Sequence, residues 1–353
     1  MRFGLGLEEA EGVRASAEGV QAEPVFRLAA REGLASFVLW GLEESGAARG
    51  IPRDLLGRLE AQAARERDHL VRVYLVAVQS LRILDEMGVP SLVVKGLAVA
   101  PFWPLPTLRY MSDVDIVVPW EDRKTIWSRY EGFRRIQKAL GVTVEVEPLH
   151  HDLTAGNTID LDFEKVFARS EVADVGGRRA RVASPLDLVL ATASSALRHD
   201  PRSFRLLLDL AFLVRSGRVD LGALAEEGRR LGLGRVLRFL FLSLRARLGM
   251  EADERVLAAG RESGLERALG LLDGDGGGEP GPAWFAGPGL SRAWMKIRLE
   301  HPFRFLRRSL ENFFPPPLAL RNQFRREGRQ EDPLALLYLA HWRRRLGSLV
   351  PRR

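Results

Sequence analysis

The chain has no cysteine, which excludes disulfides, thiolate metal sites and cysteine nucleophiles. Lysine is scarce: of 53 basic residues only Lys95, Lys124, Lys138, Lys165 and Lys296 are lysines, the bias a GC-rich genome would give. No uninterrupted apolar run approaches the ~18–20 residues a membrane-crossing helix needs. The start, MRFGLGLEEAEGVRASAEGV, is acidic and broken by glycine, without the basic-then-apolar order of a secretory signal. A cytoplasmic location is therefore the default expectation. No repeat of fixed period is visible. What remains is 353 residues, 46% hydrophobic and 28% charged, a composition that folds, in roughly two or three structural units.

The net charge of +7 is uneven. Ser291 to Arg353 carries 15 basic against 5 acidic residues, which leaves 38 basic and 41 acidic residues in the rest. The basic character belongs to the tail, so the chemistry is sought upstream.

Residues 1–88 read as an N-terminal helical segment. Pro24 to Ser45 has one broad apolar face, and Asp54 to Gly88 repeats Leu55, Leu59, Ala63, Leu70, Val73, Ala77, Leu81 and Leu84 at spacings of three and four. Asp54 is the candidate cap, with Gly88 and Pro90 as the stop. The texture changes at Val89. SLVVKG, YMSDVDIVVP, GVTVEVE, EPLHHDL and TIDLDFE are short strand-like runs, giving a mostly β core over 89–170. Ser184-Pro185 with Asp187 then opens a helical domain over 171–272. A Gly/Pro-rich linker follows at 273–289, then an arginine- and aromatic-rich helical tail at 290–353.

Asp113 and Asp115 are two apart on an apparent strand, so both leave one face while Val114 points into the core. Two carboxylates this close repel unless a cation lies between them, and hard oxygen donors suit Mg²⁺ or Mn²⁺. A third carboxylate on a neighbouring strand would complete a two-metal site. TIDLDFE offers Asp160, with Asp162 and Glu164 as spares on its face. Gly96, in the Lys95-Gly96 turn, would let the backbone approach a triphosphate, helped by amides of the helix after it. Of the remaining polar groups, His150-His151-Asp152 reads as strand edge, His199-Asp200 as surface, and Arg205 with Asp209 as an i, i+4 helix pair.

The run VVKGLAVAPFWPLPTLRYMSDVDIVVP resembles the nucleotidyltransferase core of the DNA polymerase beta superfamily. More narrowly, it is similar to the bacterial family of uncharacterised nucleotidyltransferases, whose pattern is a Lys-Gly turn, then Leu-Arg-x-Met-x-Asp-φ-Asp, then a later strand aspartate. Lys95, Gly96, Arg109, Met111, Asp113 and Asp115 match, and Asp160 falls at the later aspartate. Asp162 stands where the family often has histidine. The segment containing Leu208-Asp209-Leu210 and the run FLRRSLENFFPPPLALRNQF also resemble that family.

The resemblance implies an α+β protein: a small mixed-sheet core flanked by an N-terminal helical segment and a helical C-terminal domain. It implies transfer of a nucleotide from an NTP, ATP first, to a hydroxyl-bearing small molecule, protein or tRNA-like RNA, with release of pyrophosphate. Asp113, Asp115 and Asp160 would hold two Mg²⁺ or Mn²⁺ ions. Lys95, Gly96, Arg109 and Ser112 would bind the nucleotide, Arg109 in bidentate fashion. Two rivals stand beside this: a nucleotide-binding module with a degenerate metal site, and an RNA binder acting through its basic tail.

Overall fold

The computed structural model describes residues 22–149, 163–198, 203–260 and 332–349. The fold is α+β, and its chain divides into two compact units. The first holds everything described up to residue 260. The second contains one described helix, Leu334–Leu349, with Leu337 and His341 buried.

The first apolar stretch forms two helices rather than one, α1 (Ala22–Glu32) and α2 (Ala35–Glu44). The break falls at Gly33, which takes a positive φ of 67°, and a Cβ there would sit 2.4 Å from the Tyr110 ring. Only glycine meets both demands. The amides at the start of α2 are capped from a distance: Ala35 and Ser36 N–H donate to the buried Glu66 carboxylate at 3.3 and 2.9 Å.

Glu66 lies on α3 (Arg53–Glu86), the 34-residue helix anticipated from its three-and-four spacing. Its start differs from expectation. Pro52 occupies the capping position, and Asp54 sits inside the first turn, where its charge faces the positive helix end. At the other end Gly88, at φ 66°, stops the helix.

The sheet has five strands: β1 (Leu92–Val93), β2 (Asp113–Pro119), β3 (Thr143–Leu149), β4 (Glu171–Val175) and β5 (Arg178–Val182). Their order is β3-β2-β1-β5-β4. β2 runs parallel to β3 and antiparallel to β1, β1 is parallel to β5, and β4–β5 is a hairpin over Gly176-Gly177. The hairpin carries the sheet past residue 170, into the start of the stretch expected to be helical. Val114, Ile116 and Val118 are fully buried on β2, so this central strand anchors the core. Helices interrupt the expected β unit: α4 (Gly96–Val99), α5 (Arg123–Ser128), α6 (Tyr130–Leu140) and α7 (Phe163–Arg169). Glu164 therefore lies in the first turn of a helix and not on a strand beside Asp160.

The helical layer comprises α8 (Pro185–Arg198), α9 (Phe204–Arg215), α10 (Leu221–Arg230), α11 (Gly234–Leu248) and α12 (Glu254–Ala259). At the start of α8 Ser184 and Asp187 form the anticipated cap: Asp187 N–H donates to Ser184 Oγ at 3.2 Å, and the hydroxyl donates back to Asp187 at 2.6 Å. Arg169 adds a bidentate contact to the same carboxylate.

Candidate metal and nucleotide site

Strand periodicity builds the site. Asp113 and Asp115 are two apart on β2, so the strand presents both toward one side, while Arg109 and Met111, in the lead-in before it, both abut Gly96. Ser112, between Met111 and Asp113, is exposed and donates its hydroxyl to Asp113 at 3.1 Å. The parallel register sets Asp113 beside Thr143 and Asp115 beside Glu145. Asp113, Asp115 and Glu145 each bring a carboxylate oxygen to within 4.8 Å of the others. At that separation each ionised pair repels by roughly 3 kcal/mol at an effective dielectric of about 20. Such a set suits a divalent cation with a preference for oxygen ligands. Glu145 is the third carboxylate on a neighbouring strand that the sequence demanded, but the expected residue was different. Asp160 and Asp162 lie outside the described residues, as do His150, His151, Asp152, His199 and Asp200.

Lys95 stands over this group. Its ammonium contacts Asp115 Oδ1, the lysine side chain being 23% and the aspartate 9% exposed. Lys95 alone among the described non-glycine residues has a positive φ, 52° with ψ −128°. Such backbone strain of about 1–3 kcal/mol survives only where surroundings impose it. Here they do. Val94 N–H is tied to the Asp115 carbonyl at 3.2 Å, and Val99 N–H closes a turn onto the Lys95 carbonyl at 2.8 Å.

Packing gives a separate reason for glycine at position 96. A Cβ there would meet Arg109 Nη1 at 2.9 Å and Met111 Cγ and Sδ at 3.0 Å each. The side of Gly96 is already filled by protein. The Lys-Gly turn and the Arg-x-Met-x-Asp-x-Asp run are thus two halves of one packed unit.

Arg109 is buried, at 8% exposure. Its Nε and Nη2 donate to the two carboxylate oxygens of Asp209 on α9 at 2.8 and 2.7 Å. The bidentate edge expected for phosphate is thereby committed to Asp209. The Arg205–Asp209 helix pair expected from spacing gives way to this one, because Asp209 points into the protein, where Arg109 and Trp103 reach it. Trp103 Nε1 donates to Asp209 Oδ1 at 2.8 Å, and its ring packs on Phe37 and Phe212 at 5.4 and 5.1 Å between centroids. This buried cluster fastens the lead-in to β2 onto the helical layer. Tyr74 also feels it: burial pushes the phenol above its ordinary value, Arg109's charge opposes the rise, and Asp174 adds to it.

A family model described as "Uncharacterised nucleotidyltransferase" matches residues 18–249, well over half of the chain and all of the site described above. No curated protein and no solved structure matches the chain. No helix among the described residues is long and apolar enough to cross a membrane. The chain belongs to the uncharacterised nucleotidyltransferase family.

Proposed function

We propose that this member of the family moves a nucleoside monophosphate from an NTP, ATP first, to a hydroxyl-bearing acceptor with release of pyrophosphate. The observation that carries the reading is the β2–β3 register, which sets Glu145 beside Asp115 so that three carboxylates converge next to the Lys95-Gly96 turn. Asp113, Asp115 and Glu145 offer hard oxygen donors suited to Mg²⁺ or Mn²⁺, and enough of them for two ions. On the family pattern alone, we propose Asp160 as a further ligand. A bound divalent ion supplies charge neutralisation at the triphosphate and lowers the pKa of the attacking hydroxyl.

The chain's own groups do the rest. Lys95 brings a point charge to the phosphates. Ser112 holds Asp113 in place through its hydroxyl, with its exposed position open to nucleotide. Arg109 and Met111 fix the turn beside Asp113 and Asp115 by filling the space at Gly96. Little covalent work is asked of the protein; positioning and charge stabilisation dominate.

The acceptor is a small molecule, a protein side chain or an RNA end, and one assay separates the three. The full chain is incubated with each α-labelled NTP, Mg²⁺ or Mn²⁺ and fractionated cell extract, beside Asp113→Asn/Asp115→Asn. Metal-dependent label in one fraction, lost in the variant, is the expected result. ATP binding with no pyrophosphate release in any fraction would sink the reading in favour of a degenerate module. RNA binding that persists in the variant but is lost on truncation after Gly289 would favour the basic tail instead.

A further inference from the structure

Lys95 is unusual in three independent ways. It is one of five lysines in a chain whose other 48 basic residues are arginine. It alone among the described residues takes a positive φ without being glycine. And its ammonium contacts a carboxylate of the proposed metal cluster while its side chain keeps access to solvent. The backbone around it is fixed on both sides, by the Val94–Asp115 and Val99–Lys95 hydrogen bonds and by the packing of Arg109 and Met111 at Gly96. The turn is held by these contacts, while the side chain it carries remains 23% exposed.

Position 95 therefore favours lysine over the arginine this chain otherwise uses. A guanidinium would lock onto Asp115 through a planar fork, whereas an ammonium is a point charge that can leave one anion for another. Asp115 cannot give the same oxygen fully to Lys95 and to a divalent ion. The competition is built into the geometry.

We propose, resting on the nucleotidyl-transfer reading above, that Lys95 is an exchangeable counter-ion which couples the binding of divalent cation and triphosphate. Without ligands its ammonium occupies Asp115 and holds down the affinity of the cluster for metal alone. When a cation binds at Asp113, Asp115 and Glu145, the ammonium is released, and the nearest new anion it can reach is the phosphate of an incoming nucleotide. Each ligand then strengthens the other, because each removes a cost the other would bear. By linkage the effect is reciprocal, and couplings of this kind run from about five- to about 150-fold.

The test uses the full chain and two probes, Mn²⁺ alone and a non-transferable α,β-methylene ATP analogue at saturating Mn²⁺, each followed by calorimetric titration. Lys95→Met removes the charge. Lys95→Gly removes the charge and relieves the backbone, so it guards against a failure of the first variant to fold. Lys95→Arg keeps the charge but pins it. Both neutral variants are expected to bind Mn²⁺ alone about tenfold tighter than the natural protein and the analogue correspondingly more weakly, whereas Lys95→Arg binds Mn²⁺ no tighter. A purely structural lysine would not move these two affinities in opposite directions. Neutral variants that bind Mn²⁺ with unchanged or reduced affinity overturn the exchange, yet leave nucleotidyl transfer standing provided Asp113→Asn abolishes the metal binding. A natural protein that binds no Mn²⁺, with or without the analogue, ends both readings together.

Discussion

Asp209→Ala would leave a buried guanidinium and a buried indole N–H without the acceptor they share. Arg109 is 8% and Asp209 6% exposed, and three hydrogen bonds of 2.7–2.8 Å converge on the one carboxylate. Arginine cannot escape by losing its proton. The cost is thus that of an orphaned interior charge, ~3–5 kcal/mol, with ~1–3 kcal/mol more where the Trp103 donor finds no water. Set against the ~5–15 kcal/mol that holds a typical domain, one substitution removes a large share of the stability.

The paired change, Arg109→Met with Asp209→Leu, tests the cause. Replacing a buried ion pair by apolar side chains of similar volume is commonly neutral or better, so the double variant recovers most of the loss and retains only the cost of the unmet indole. Urea unfolding of the natural protein, Arg109→Met, Asp209→Leu and the double variant gives the cycle, with an unchanged slope certifying that stability alone has moved. A loss below about 1 kcal/mol for Asp209→Ala, or a double variant as weak as the two single losses summed, would refute the orphaned-charge account.

Gly96→Ala drives a methyl against Arg109 and Met111, so we expect a loss of ~1–3 kcal/mol in urea unfolding and weaker Mn²⁺ binding by titration; unchanged metal affinity would show that the turn does not position the carboxylates. Glu66→Ala strips the acceptor from the amides of Ala35 and Ser36 and is expected to cost ~2–4 kcal/mol, with Glu66→Gln costing less because one carbonyl oxygen remains. Tyr74 gives a pH signature. Its phenol is raised above 10.0 in the folded state, chiefly by burial, so the unfolded chain loses that proton first. Stability is therefore whole below the ordinary phenol value and falls as pH climbs toward the folded one. In Tyr74→Phe, urea unfolding at neutral and alkaline pH should show a shallower alkaline decline; an identical decline in both proteins would mean that another group drives it.

Much of this was legible because local rules and tertiary packing agree. The three-and-four spacing from Leu55 to Leu84 gave α3, since a helix with one apolar stripe has a single way to bury it. Ser184, Pro185 and Asp187 announced α8 because capping depends on neighbours only. Gly33 was missed as a helix breaker. A lone glycine in an apolar pattern carries no local signal of the Tyr110 ring that excludes a side chain there. Asp209 was misassigned for the same reason: spacing along α9 pointed to Arg205, and only tertiary structure brings Arg109, one hundred residues earlier, onto its carboxylate.

The third carboxylate shows where the limit lies. Asp113 and Asp115 are legible from a single strand, because the two-residue period alone puts them on one face. A partner on another strand depends on register as well as period, and a slip of one residue reverses every side chain. In Thr143-Val144-Glu145-Val146-Glu147 the strand period puts Glu145 on the face opposite Val144. What the sequence lacked was the pairing of Asp115 with Glu145, which follows from the order of strands in the sheet. Asp160, offered by TIDLDFE and by the family pattern alike, lies outside the described residues, while parallel pairing of β2 with β3 brings in a glutamate that no short motif marks. An acid on a strand parallel to an Asp-x-Asp strand, at the position facing its second aspartate, is the signal that would have found it.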